Sequence, residues 1–158
     1  MDYQIKELEA KDSPQLKDFL YEAIYVPKGE TPPPRSIVEH PQLRHYYEGF
    51  GTERGDYAYA AEAGGQLVGI VWTRIIDDYG HIADDIPSLS IAVLPAFRGR
   101  GIGRALMDAL LIRLKAEGYA AVSLSVQKEN AAMHLYERVG FCTYQDNRDE
   151  CVMWKKFE

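Results

Sequence analysis

The stretch Leu89-Ser90-Ile91-Ala92-Val93-Leu94-Pro95-Ala96-Phe97-Arg98-Gly99-Arg100-Gly101-Ile102-Gly103-Arg104-Ala105-Leu106 passes from a β-branched apolar segment, through a Pro-marked turn and a Gly-Arg loop, into a helix. The three glycines let the backbone turn with its amides pointing inward, unshielded by Cβ atoms. A helix beginning near Gly103 adds unpaired first-turn N–H groups and the positive end of its dipole. Arg98, Arg100 and Arg104 add charge. The pattern reads as a cradle for a diphosphate, preceded by a strand that can hold the rest of an elongated ligand through main-chain hydrogen bonds.

Two common phosphate loops do not fit. A P-loop needs Lys and then Ser or Thr after its last glycine, and Arg104-Ala105 follow Gly103. The dinucleotide fingerprint has a third glycine where this chain has Arg104, and the loop lies well past any first strand. The spacing Arg98-x-x-Gly101-x-Gly103 after a Val-Leu-Pro strand end resembles the acyl-CoA pyrophosphate loop, R/Q-x-x-G-x-G/A, of the GNAT superfamily of N-acetyltransferases. In that superfamily an Asn-initiated helix ending in Tyr-x-x-x-Gly-Phe follows the next strand. Here Ser123-Leu124-Ser125-Val126 leads into Asn130-Ala131-Ala132-Met133-His134-Leu135-Tyr136-Glu137-Arg138-Val139-Gly140-Phe141. The two motifs, in order, cover about a third of the chain.

At 158 residues, with 46% hydrophobic and 27% charged side chains, the composition is that of one globular domain, expected to span residues 1–158. The start, Met1-Asp2-Tyr3-Gln4-Ile5-Lys6, lacks an export signal, and no apolar run approaches the ~20 residues of a membrane helix, so a cytoplasmic protein is expected. A net charge of -6 and a compact Arg cluster argue against a nucleic-acid surface and favour a cationic small-molecule or peptide acceptor.

Period and punctuation give the elements. A strand is expected at 3–8, then Asp12-Ser13-Pro14 as an N-cap before a helix burying Leu16, Phe19, Leu20, Ala23 and Ile24. Thr31-Pro32-Pro33-Pro34 reads as an extended loop. Pro41 opens a second helical stretch with Leu43, Tyr46, Tyr47 and Phe50 on one side, ended by Gly49 and Gly51. Strands 57–62 and 66–74 flank a Gly64-Gly65 hairpin turn. A strand at 86–94, a helix at 103–117 and strands at 120–126, 141–144 and 151–157 complete an α/β chain, a mixed central sheet flanked by helices. A symmetric final hairpin turning at Asp146-Asn147 sets Cys142 opposite Cys151. Two cysteines are too few for a metal site, and none is expected.

The resemblance implies roles for particular residues. The main chain of Ile91, Ala92 and Val93 is expected to bind the pantetheine arm of acetyl-CoA, the co-substrate, as an added strand. Arg98, Gly99, Arg100, Gly101, Ile102, Gly103 and Arg104 hold its pyrophosphate, and Asn130 supplies a polar contact besides capping its helix. Tyr136 is the family's usual general acid, or else a half-buried packing residue beside Ala132 and Val139. Protonating the leaving thiolate from a phenol is uphill by roughly 2 kcal/mol in water, whereas neutralising an ordinary amine at pH 7 costs about 4.6 kcal/mol. Where many relatives have a Glu in the strand before the loop, this chain has Ser88 and Ser90. His81, Asp84, Asp85 and relayed water stay open as the base. Asp84, Asp85 and Tyr25 are the candidate acceptor contacts, among aromatics and carboxylates suited to a cationic amine. The expected function is transfer of acetyl to a primary amine by direct attack in a ternary complex; the alternative is a non-catalytic acyl-CoA-binding sensor of the same fold. A homodimer is compatible with the sequence.

Overall fold

Gly64 and Gly65 carry φ of 59° and 81°, the left-handed pair a tight hairpin turn requires. They join β2 (Tyr57–Ala63) to β3 (Gln66–Arg74) in the computed structural model, which describes residues 2–158. Around this hairpin lie β1 (Gln4–Glu7), β4 (Ser88–Val93), β5 (Ala121–Gln127), β6 (Cys142–Asp146) and β7 (Glu150–Lys156), forming one mixed sheet in the order β1-β2-β3-β4-β5-β7-β6. The helices are α1 (Leu16–Ala23), α2 (Pro41–Arg44), α3 (Ile102–Ala116) and α4 (Ala132–Arg138).

Alternation along the strands sorts the two faces. Leu89 of β4, Val122, Leu124 and Val126 of β5 and Met153 of β7 pack with Ile102, Leu106, Met107 and Leu110 of α3 and with Tyr136 of α4. Ile70 and Trp72 of β3 and Ala92 of β4 point to the opposite face, against Leu16, Phe19 and Leu20 of α1. Of the face predicted for the first helix, Leu16, Phe19 and Leu20 are buried, and Ala23 and Ile24 are half-buried against the same cluster.

Two helix boundaries differ from expectation. Asp12 does not cap α1: its carboxylate accepts from the Gln15 side chain at 3.3 Å, and residues Ala10–Gln15 form a 3-10 segment that leads into the α-helix. The second helical stretch stops as α-helix at Arg44. Beyond it, the carbonyls that would continue the ladder are taken by β3 side chains. Trp72 Nε1 donates to Tyr46 O at 3.0 Å, and the Arg74 guanidinium donates to the carbonyls of His45 and Glu48. Arg74 is buried and also pairs with buried Asp56 at 3.0 Å, which in turn accepts the Gly51 and Glu53 amides. A core ion pair thus replaces a helix with a pinned loop.

The cysteines do not face each other. The turn centres on Arg148-Asp149, two residues later than expected, closed by Asn147 N–H to Glu150 O at 3.0 Å, and the register shifts between Thr143 and Gln145. Cys142 therefore pairs with Trp154, and Cys151 with Asp146. Cys142 is exposed and Cys151 buried. Both thiols of freshly purified protein are expected to be free, with Cys142 alkylated rapidly and Cys151 only on unfolding; equal rates for the two in native buffer would contradict this register.

Candidate active site

Strands β4 and β5 run parallel but pair at one position, Ser88 with Ser123. Past that vertex they separate into a wedge. The backbone orientation on its β4 side follows from two bonds. Ser123 N–H donates to Pro87 O across to β5, whereas Leu94 N–H donates to Val68 O on the β3 side. Odd-numbered residues of β4 therefore aim their N–H and C=O toward β5, and for Ile91 and Val93 no strand is there to meet them.

The wedge leads to the glycine loop. Gly99 and Gly101 have φ of 75° and 83°, and Gly101 is the N-cap of α3 with no side-chain cap. The first-turn amides of α3 are thus left to solvent or to an anion. At Gly103 a Cβ would lie 3.3 Å from Leu135 of α4, so helix packing also calls for glycine there. The three arginines are held differently. Arg98 Nε donates to Val93 O at 2.8 Å, Arg100 lies over the Phe97 ring at 5.6 Å, and Arg104 pairs with Asp108 at 3.2 Å.

On the far wall, Asn130 Oδ1 accepts the Ala132 N–H at 2.9 Å, one residue before the formal N-cap Ala131, which leaves its amide nitrogen as the donor end. Tyr136 is 9% exposed and tilted against Phe141 at 6.1 Å between ring centroids. Burial pushes its phenol up to about 12. Its hydroxyl has no hydrogen-bond partner among the described residues, and no buried side-chain polar atom among them is left unpaired, so the hydroxyl must open onto the cavity. The ring packs in the core, and the oxygen is left without a protein partner among the described residues.

These parts line one cavity of about 1190 Å³. Of the residues singled out in the sequence, it gathers Ile91, Ala92, Val93, Arg98, Gly99, Gly101, Ile102, Gly103, Arg104, Asn130, Tyr136 and Tyr25. Arg100 is not on its wall, and neither are Asp84 and Asp85. Asp84 is fully exposed and pairs with His81 Nε2 at 3.3 Å, while His81 Nδ1 lies 2.9 Å from Ile76 O. The sequence reading missed Lys28 and Arg138, two cations brought to the cavity from the segment after α1 and from the end of α4. No periodic or motif signal marks either; only the folded topology brings them there. Among the described residues there is no cluster of His, Cys, Asp and Glu able to hold a metal ion, and no helix long and apolar enough to cross a membrane.

Behind the vertex, residues 75–87 cross the face opposite α3. Ser123 Oγ donates to Gly80 O at 2.6 Å, and Gly80 lies so close to β5 that a Cβ would sit 3.0 Å from the Leu124 carbonyl carbon. Asp78 accepts from Ser88 Oγ at 2.6 Å and from Gly80 N–H at 3.1 Å. Burial raises its carboxyl above the usual range, against the pull of these bonds and of Tyr46.

Comparison with known proteins agrees with this geometry. Over 83 residues the chain is 37% identical to the mycothiol acetyltransferase of Propionibacterium freudenreichii, an alignment covering 52% of this chain and 26% of that one. Over 60 residues it is 37% identical to the [ribosomal protein bS18]-alanine N-acetyltransferase of Haemophilus influenzae, covering 38% and 41% of the two chains. The alignments span about a quarter of the length of the mycothiol enzymes it matches. In fold it is similar to the PaiA N-acetyltransferase of Thermoplasma acidophilum solved in complex with coenzyme A, with a TM-score of 0.71, 19% identity and coverage of 99% and 100%. The sequence profile of the acetyltransferase (GNAT) family matches residues 19–141. The chain belongs to that family.

Proposed function

We propose that this protein transfers the acetyl group of acetyl-CoA to a primary amine by direct attack in a ternary complex. The observation that carries the reading is the wedge: main-chain groups of Ile91 and Val93 without a strand partner, ending at a helix N-terminus wrapped in left-handed glycines. Main-chain groups without a strand partner in a cleft, of which only the Val93 carbonyl is met, by Arg98, favour a ligand that presents amides in extended form, and the loop favours a diphosphate at its end. Acetyl-CoA has both, and the acetyltransferase names of the relatives agree. Bound acetyl-CoA supplies the thioester carbon that the amine attacks.

The chain's own residues then divide the work. Gly99, Gly101, Ile102, Gly103 and Arg104 bind the pyrophosphate; Arg98, Lys28 and Arg138 add positive charge to a wall that also carries Glu22 and Glu129. Asn130 orients the ligand through its amide nitrogen. Tyr136 donates from its hydroxyl to the sulfur as negative charge develops there. With the phenol pushed up to about 12, full proton transfer to a thiolate of pKa ~8.5 is uphill by roughly 5 kcal/mol, so Tyr136 stabilises the leaving sulfur by hydrogen bonding rather than by ionising. An unpartnered hydroxyl aimed into the cavity also favours turnover over a module that only binds acyl-CoA. The acceptor is a small cationic amine or a peptide amine, and the setting is the cytoplasm.

Two experiments test this reading. Gly101→Val places a β-branched residue at φ 83°, where an L side chain costs roughly 1–2 kcal/mol, and fills the cradle. Calorimetric titration is expected to show at least a tenfold loss of acetyl-CoA affinity in a protein that still unfolds cooperatively; affinity equal to wild type removes the cradle. Tyr136→Phe is expected to keep acetyl-CoA affinity and to lower kcat by about 10²-fold, with a smaller loss for acyl donors having better leaving groups. An unchanged kcat reduces Tyr136 to packing.

A further inference from the structure

The face of the wedge opposite α3 is lined by serines. Ser88 and Ser123 form the vertex, and alternation along the strands puts Ser90 and Ser125, one step further out on each side, on the same face. Both are half-buried, whereas Ser88 and Ser123 are buried. A nucleophile reaching the wedge from the side away from α3 and α4 therefore passes between Ser90 and Ser125.

Two carboxylates are tied to this face, one from each side. Asp78 is saturated: Ser88, Gly80 and Tyr46 bond it and burial closes it off. It pins the loop over the vertex. Glu150 differs. At the start of β7 it pairs with Gln127, two residues beyond Ser125 on the same face, and its Oε2 accepts from Ser125 Oγ at 3.0 Å. It is half-buried and has no ion-pair partner among the described residues. The result is a half-buried carboxylate outside the lining of the cavity, tied to Ser125 on the β5 face away from α3, with one oxygen committed and no ion-pair partner among the described residues.

Resting on the N-acetyltransferase reading above, we infer that Glu150, tethered by Ser125, receives the ammonium group of the acceptor and makes the site selective for cationic amines. A carboxylate in this position attracts and holds the protonated amine; the ammonium gives its proton to relayed water, and the free amine then attacks the thioester carbon as the thiolate leaves. Glu150 is a specificity-determining residue in this account and takes no part in the bond exchange.

The test measures thiol release from acetyl-CoA with putrescine, a free N-terminal tripeptide and Nα-acetyl-lysine amide as cationic acceptors, and with 4-aminobenzamide as an uncharged amine. Glu150→Gln is expected to raise KM for the cationic acceptors about 10- to 30-fold at low salt, with the effect shrinking at high salt. It should leave kcat at saturation, acetyl-CoA affinity and KM for 4-aminobenzamide within twofold. Ser125→Ala, which unties the carboxylate but keeps its charge, should give a smaller rise, and Glu150→Asp an intermediate one. If wild type turns over these amines and Glu150→Gln has the same KM, or loses kcat equally for charged and uncharged acceptors, the inference falls while the N-acetyltransferase reading stands. If wild type binds acetyl-CoA and releases no thiol with any of them, both fall together.

Discussion

The structure depends on one truncated contact, the pairing of β4 with β5 at Ser88 and Ser123 alone. A sheet continued past that point would satisfy Ile91 and Val93 internally and leave no opening. Because it stops, the central strand carries main-chain groups on one side that no strand meets: Arg98 takes the Val93 carbonyl, and the amides of Ile91 and Val93 and the Ile91 carbonyl are left to water or a ligand. The loop over residues 75–87 helps fix the vertex, through Ser123 to Gly80 O and Ser88 to Asp78. The glycine loop, α3 and Tyr136 are arranged around the gap this leaves.

The cofactor half of this arrangement was legible in the sequence because its requirements are local. Left-handed φ at Gly99 and Gly101, a helix opening just after them, and a hairpin at Gly64-Gly65 are each written in a few adjacent residues. The features that sequence reasoning misjudged are set by distant partners. The interruption of the helix after Arg44 comes from Trp72 and Arg74, nearly thirty residues on. The displacement of Cys142 from Cys151 comes from an irregularity between Thr143 and Gln145 and a turn two residues later. Asp84 and Asp85 sit close in sequence to the strand that builds the wedge, yet they are on the outer surface of the loop, and Asp78 is the residue the loop buries.

Charge is distributed to match a two-substrate cleft. Arg98, Arg104, Lys28 and Arg138 line the cavity together with Glu22 and Glu129, on a chain that carries a net charge of -6. The carboxylates at Ser88 and Ser125 lie on the opposite face of the sheet from α3. Tyr136 has its ring in the core, and burial raises its phenol above the ordinary value.

Amide hydrogen exchange with and without acetyl-CoA tests the wedge most directly. If the cofactor adds to β4 as a strand, the amides of Ile91 and Val93 and those of residues 101–104 gain protection on binding, while the amides of Ala92 and Leu94, already directed to β3, change little. Binding that protects none of these, or that protects Ala92 and Leu94 in place of Ile91 and Val93, would contradict the account.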